Sequence, residues 1–152
     1  MTITGLVHVN VNCRDFDRSK AFYELLGFRH AVDVPPTNSA EVAAAVGMPP
    51  YRVKGALLVL PTSTGHLMLD LLEWQEPTDA SPPYPHLYHL GIARIALSTD
   101  DLDGDMARLQ AEGVEFLSEP ASVTLDGQPA TRFVCFKDPD GTILELVESA
   151  GP

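Results

Sequence analysis

The chain has 152 residues, one ordinary domain and enough to bury a core. Hydrophobic residues make up 45%, which excludes a disordered tail. Ten basic against 21 acidic side chains leave a net charge of −11, a surface that repels phosphate backbones and anionic lipid and excludes nucleic acid and membranes as partners. No apolar run reaches the ~18–20 residues of a membrane span. The start, MTITGLVHVNVN, has neither the basic opening nor the apolar stretch of a secretory leader, so a cytoplasmic location is expected. Two cysteines, Cys13 and Cys135, cannot build a disulfide framework and read as buried thiols in a reducing compartment.

In chain order, residues 3–12 alternate as a strand. Phe16, Ala21, Phe22, Leu25 and Leu26 then recur near helical spacing over 16–26, with Gly27 at the stop. Strands follow at 28–34, 51–60 and 66–73. Residues 75–90 are proline-rich and aperiodic and form a linker. Beyond it come a strand at 91–98, a helix at 101–112 ending at Gly113, and strands at 114–118, 130–136 and 142–148.

This order is a repeat. GLVHVNVNCRDFD at 5–17 and GIARIALSTDDLD at 91–103 each run from a glycine through an alternating strand into an acidic turn that opens a helix. Gly5 aligns with Gly91 and Asp15 with Asp101, which puts His8 on Arg94. MLDLLE at 68–73 and ILELVE at 143–148 each follow a turn, PTSTG at 61–65 and DPDG at 138–141, and put Asp70 on Glu145. His8 to Asp70 spans 62 residues and Arg94 to Glu145 spans 51. The excess of 11 falls in NSAEVAAAVGMPP, residues 38–50, which reads as an inserted short helix ended by Gly47 and a proline pair. The expectation is an α+β chain of two βαβββ modules, 1–74 and 91–150, joined by the linker 75–90 into one domain. Each curved sheet would have one face under its helix, with a concave small-molecule cleft left between the copies.

Paired modules of this kind resemble the vicinal oxygen chelate superfamily, which includes glyoxalases, methylmalonyl-CoA epimerases, extradiol dioxygenases, and fosfomycin- and bleomycin-resistance proteins. The stretches that carry the resemblance are HVNVNCRDFDRSKAFYELLGF at 8–28, RIALSTDDLD at 94–103 and FVCFKDPDGTILELVE at 133–148. It covers the whole chain apart from the insert and the linker. It implies a glyoxalase-like fold and a divalent metal (Zn, Mn, Fe, Ni or Mg) held by residues on the first and last strand of each module. By position these are His8 and Arg94, and Asp70 and Glu145. His8 and Glu145 match the usual ligand types, and Asp70 is a shorter substitute for the commoner glutamate. Arg94 departs from the pattern, because a guanidinium stays protonated and has no lone pair to give. A metal set would therefore be His8, Asp70 and Glu145.

The residues themselves support a shared polar site. On 7–12 the odd positions are valine and the even ones are His8, Asn10 and Asn12, which also describes the solvent side of a half-buried sheet. Asp70 shares its face with Met68 and Leu72, and Glu145 with Ile143 and Val147. A lone acid in an apolar row is expensive to bury unless it is paired or binds metal. Two such acids at equivalent positions point to a pocket, and the plain alternative is two surface acids on an edge. Asp70 and Glu145 contribute −2 and Arg94 +1, so a protonated His8 closes the four as a neutral network without an ion. A divalent ion would leave a net +1 beside a permanent cation unless an anionic substrate completes the shell.

The leading expectation is an enzyme acting on a small carbonyl compound by isomerisation, epimerisation or lyase chemistry through an enolate. Glu145 would be the general base and Arg94 would hold a substrate carboxylate or the enolate oxygen. His8 would be a second acid–base group or a ligand, and Asp70 a substrate-binding or orienting group. Two rivals stand: a metal-dependent dioxygenase, and a small-molecule binding or resistance protein without chemistry. A homodimer is compatible with either. Among the other candidates, Phe22, Tyr23 and Phe28 read as core, His30 and His66 as surface residues, and His86 and His89 as solvated linker residues. Trp74 is placed to line an apolar pocket, and Arg132 to pair with a surface acid.

Overall fold

The computed structural model of the chain describes residues 1–63, 65–124 and 126–149. Their order is β1 (Val9–Cys13), α1 (Phe16–Leu25), β2 (Arg29–Asp33), α2 (Ala40–Ala45), β3 (Arg52–Thr62), β4 (Gly65–Glu76), β5 (Ile95–Ser98), α3 (Leu102–Ala111), β6 (Ala121–Thr124), β7 (Ala130–Lys137) and β8 (Ile143–Ser149). The chain divides into two compact units, Met1–Ser81 and Pro82 onward. Each contains one mixed four-stranded sheet, ordered β1-β4-β3-β2 in the first and β5-β8-β7-β6 in the second. In both, the first strand runs parallel to the last and the remaining pairs are antiparallel. The α+β class is as expected. The last residue of the expected second module, 150, and residue 64 of the 61–65 turn lie outside the described residues.

The two units are built with the same device. Asp15 caps α1 by accepting from the Arg18 N–H, and Asp101 caps α3 by accepting from the Gly104 N–H. The first N–H of each helix is taken by a carboxylate from the last strand: Phe16 donates to Glu73 at 2.8 Å and Leu102 donates to Glu148 at 2.9 Å. A cation paired across the ladder from each of those glutamates then reaches the first turn of the helix. Lys54 pairs with Asp17, and Arg132 holds Asp103 and Glu148 together. Each helix is thereby tied to its sheet at its N-terminus, where an acid also suits the helix dipole.

Alternation decides which face the helix covers. Val11, Cys13, Ala56, Leu58, Leu69 and Leu71 are buried with Phe16, Phe22 and Tyr23 of α1. Tyr23 sits edge-to-face between Phe22 and Phe28, which confirms that trio as core. In the second unit Leu97, Val134, Phe136, Leu144 and Leu146 are buried with Leu102, Met106 and Leu109 of α3. The insert does form a helix, α2, capped by Ser39 and ended at Gly47 with φ +72°.

Three elements depart from expectation. The strand expected over 3–12 is realised only as β1, because β1 is an edge strand whose one partner, β4, meets it from Val9↔Leu69 onward. Residues before it have no ladder partner, and Ile3, Leu6 and Val7 are exposed rather than buried. The strand expected over 91–98 likewise shortens to β5, with Leu90 and Ile92 exposed. The strand expected at 114–118 survives as a single bridge, Phe116↔Phe136, and the ladder resumes at Ala121 as β6. Pro120, which has no N–H to donate, lies in the break.

Candidate functional site

The face of each sheet turned away from its helix carries the polar residues singled out above. In the first unit Asn10 pairs across the ladder with Asp70, and Leu57 pairs with Asp70 from the other side. That face therefore holds Asn10, Asn12, Met68, Asp70, Leu72, Trp74, Gly55, Leu57 and Val59. His8 lies one residue before β1 and points Nε2 at Asp70 Oδ2, 4.0 Å away. This is an ion-pair distance, too long for a hydrogen bond. The Asp70 side chain is 17% exposed and its Oδ1 is buried with no hydrogen-bond partner. Burial pushes the Asp70 carboxyl above the ordinary carboxylate range, and His8 only partly pulls it back.

In the second unit the equivalent pair is closed. The Arg94 Nε donates to Glu145 Oε2, and the side chains are 44% and 11% exposed respectively. A third group joins them. Cys135 pairs across the ladder with Glu145, and its thiol donates to the same Oε2 at 3.6 Å. Burial raises the Cys135 thiol pKa, the Glu145 carboxylate raises it further, and Arg94 opposes both. Cys135 was not among the expected site residues. It reads as a buried thiol in sequence but is only half-buried and lies on the site face, whereas Cys13 is in the core. Neither cysteine is in a disulfide.

The structure thus brings His8 to Asp70 in one unit and Arg94 to Glu145 in the other. Further along the first face, the Trp74 indole N–H donates to Asn12 Oδ1 at 2.9 Å, and the Tyr51 ring lies against Trp74 with centroids 4.8 Å apart. A recess of about 330 Å³ in the first unit is lined by Phe16, Asp33, Val34, Pro36, Val53, Lys54, Gly55 and Gln75. It includes neither His8 nor Asp70, and its one cation, Lys54, already pairs with Asp17 at 2.6 Å. His30 is paired with Asp33, and Arg132 with Asp103 and Glu148. His86 stacks on Tyr88 and His89 on Tyr84.

Two βαβββ units with their polar pairs on the uncovered sheet faces define a glyoxalase-type chain. The profile of the Glyoxalase/Bleomycin resistance protein/Dioxygenase superfamily matches residues 5–146, and the chain belongs to that superfamily. It is 30% identical over 147 residues to the protein YaeR of Escherichia coli (strain K12), covering 93% of each. It is 28% identical over 150 residues to YwkD of Bacillus subtilis (strain 168), covering 97% of this chain and 99% of that one. In fold it matches the crystal structure of a glyoxalase family protein from Bacillus cereus at TM-score 0.78 and 22% identity, over 99% of both chains. Among the described residues no helix is long and apolar enough to cross a membrane.

Members of the superfamily commonly carry a divalent metal, and the residues at the corresponding positions do not all fit one. His8 and Asp70 are suitable donors, and the unpartnered Oδ1 has lone pairs to give. Arg94 is not a donor, and its Nε–H is already spent on Glu145 Oε2. Among the described residues no three or more of His, Cys, Asp and Glu cluster so as to hold an ion. No chemical step below is routed through a metal.

Proposed function

We propose that the chain is a small-molecule enzyme of this superfamily that moves a proton at a carbon next to a carbonyl, as an isomerase, epimerase or lyase working through an enolate. The observation that carries the proposal is the Arg94–Glu145 pair, set between Ile143 and Val147 on its strand and across the ladder from Cys135. Arg94 keeps guanidinium N–H groups beyond the Nε that Glu145 accepts, and it is exposed enough for a ligand to reach. A substrate carboxylate or carbonyl oxygen binds there. Glu145 takes the α-proton, the C–H electron pair becomes the enolate C=C bond, and the charge settles on the oxygen that Arg94 faces. Glu145 then returns the proton to the same or the neighbouring carbon. His8 and Asp70 are the corresponding pair of the first unit. Asp70 retains its proton to higher pH than an ordinary aspartate and is therefore suited to bind or protonate substrate.

The test is solvent deuterium exchange into carbonyl-bearing candidates. Wild type should exchange the α-proton, and Glu145→Gln should lose ~10²–10⁴ of the rate while still binding ligand. Arg94→Ala should weaken both anion binding and exchange. One observation favours a second reading, that of a binding or resistance protein: the Arg94–Glu145 pair is satisfied without any ligand. Absence of exchange across the candidates in a protein that still binds them would select that reading. Stoichiometric metal by elemental analysis would select the metal-dependent dioxygenase instead. Arg94→His, which restores a donor, should raise Zn or Mn affinity in calorimetric titration.

A further inference from the structure

The uncovered face of the first unit is not uniformly apolar. At one end are His8 and the buried, unpartnered Asp70 Oδ1. Four residues along β4 on the same face is Trp74, about 13 Å away at ~3.3 Å per residue. Trp74 is set firmly. Its only polar atom is spent on Asn12 Oδ1, so the ring has no reason to turn toward water, and Tyr51 braces it at an interplanar angle of 47°. Leu72 lies between the two ends and Leu57 flanks Asp70 across the ladder, both half-buried, and they give the face an apolar floor. Gly55 sits across the ladder from Leu72, and a Cβ there would collide with the Leu71 carbonyl and the Leu72 side chain. The floor is kept flat at that point by the absence of a side chain.

We infer that this face takes a ligand with a flat aromatic ring stacked on the Trp74–Tyr51 wall and a protonated amine at Asp70, that is, an arylalkylamine or a substrate bearing both groups. The two ends of the face call for those two groups. An indole face offers attraction to a ring or cation but no hydrogen bond, because its N–H is occupied. Asp70 keeps 17% of its side chain exposed and has an oxygen without a donor, so an ammonium N–H at its exposed side adds a donor it lacks, and the net charge of −11 favours a cation over an anion. The inference rests on the reading that the Asp70 face is part of the ligand site, and it adds the class of molecule.

Trp74 is the only tryptophan, so its emission reports this face alone. Full-length protein is titrated with phenylalkylamines from phenylethylamine to phenylhexylamine, with alkylamines of equal carbon count as controls. The expected result is saturable quenching or a shift of Trp74 emission, with one chain length preferred and the aryl compound bound at least threefold tighter than its alkyl control. Calorimetry on Trp74→Leu and on Tyr51→Leu should show that aryl preference lost. Asp70→Asn should weaken the amines but not the corresponding phenylalkanes. Equal binding of aryl and alkyl amines, unchanged aryl preference in both wall variants, or no binding by any chain length overturns the inference. If Arg94→Ala and Glu145→Gln still abolish proton exchange on a carbonyl substrate while Trp74 stays silent, the proposed function stands and the aromatic subsite falls.

Discussion

Asp70 is an acid held at a loss, and removing its charge should stabilise the first unit in a pH-dependent way. Its side chain is 17% exposed, Oδ1 has no partner, and His8 Nε2 stands 4.0 Å from Oδ2, beyond hydrogen-bond range. Burial raises its pKa, so between the ordinary carboxylate value and the raised one the folded state binds more protons than the unfolded chain. Stability therefore falls as pH rises through that window and stays lowered above it. Asn at this position has the same shape and no charge. An unsatisfied buried polar group costs ~1–3 kcal/mol, and Asn keeps one awkward atom there, so Asp70→Asn should recover about 1 kcal/mol at pH 7.5. For a chain of this length that corresponds to a rise in Tm of about 2–4 °C. At about pH 3.5, where Asp70 is itself protonated, the difference should vanish. Thermal melts followed by Trp74 emission, in the presence of EDTA, read the first unit directly. A gain that does not change with pH, or a variant less stable than wild type at pH 7.5, would refute the claim that Asp70 is an uncompensated buried acid.

Three further outcomes are expected. Glu73→Ala and Glu148→Ala should each cost ~0.5–2 kcal/mol, because each strips the acceptor from the first N–H of a helix; matched calorimetric losses would establish that the two units share this clamp. Gly55→Ala should destabilise the first unit by well over the ~0.5 kcal/mol of an ordinary surface change, since its Cβ meets the Leu71 backbone; a neutral result in a Trp74-monitored melt would show that β3 and β4 can part there. Cys135 should alkylate slowly with iodoacetamide near neutral pH, faster in Glu145→Gln and slower in Arg94→Ala, because the carboxylate raises the thiol pKa and the guanidinium lowers it. Peptide mass spectrometry separates Cys135 from Cys13, and the reverse order in the two variants would contradict the observed contacts.

Most of the fold was legible because it was written twice. Alternation marked β3, β4, β7 and β8, helical spacing marked α1 and α3, and the aspartates at 15 and 101 marked the caps. The three misreadings share a physical origin. An alternating run such as 3–8 or 91–94 becomes a strand only where a neighbour offers backbone groups, and β1 and β5 lie at sheet edges where β4 and β8 supply partners for part of their length. The run 114–118 keeps only the Phe116↔Phe136 bridge, and β6, beyond Pro120, has too little hydrophobic alternation to announce it. Cys135 was within reach of a register argument: a turn centred on 140 pairs 137 with 143 and therefore 135 with 145, as the ladder does. Its composition, a lone cysteine among aromatics, gave no such sign.

The repeat also separates what holds the units together from what differentiates them. Position by position, the clamp residues are chemically matched: Asp15 with Asp101, Asp17 with Asp103, Glu73 with Glu148, and Lys54 with Arg132. Each makes the same bond in its own unit, as expected if the sheet–helix joint tolerates only that geometry. The site positions are not matched. His8 stands where the second unit has Arg94, Leu57 where it has Cys135, and Asp70 where it has the longer Glu145. The consequence is electrostatic. A glutamate can reach a guanidinium and close a pair, whereas an aspartate one methylene shorter remains 4.0 Å from its histidine with an oxygen unsatisfied. One unit presents a closed cation–acid pair, and the other presents an acid lacking a donor. The same module has thus kept the joint that folds it while one methylene at a single position decides whether its acid is paired or left unsatisfied.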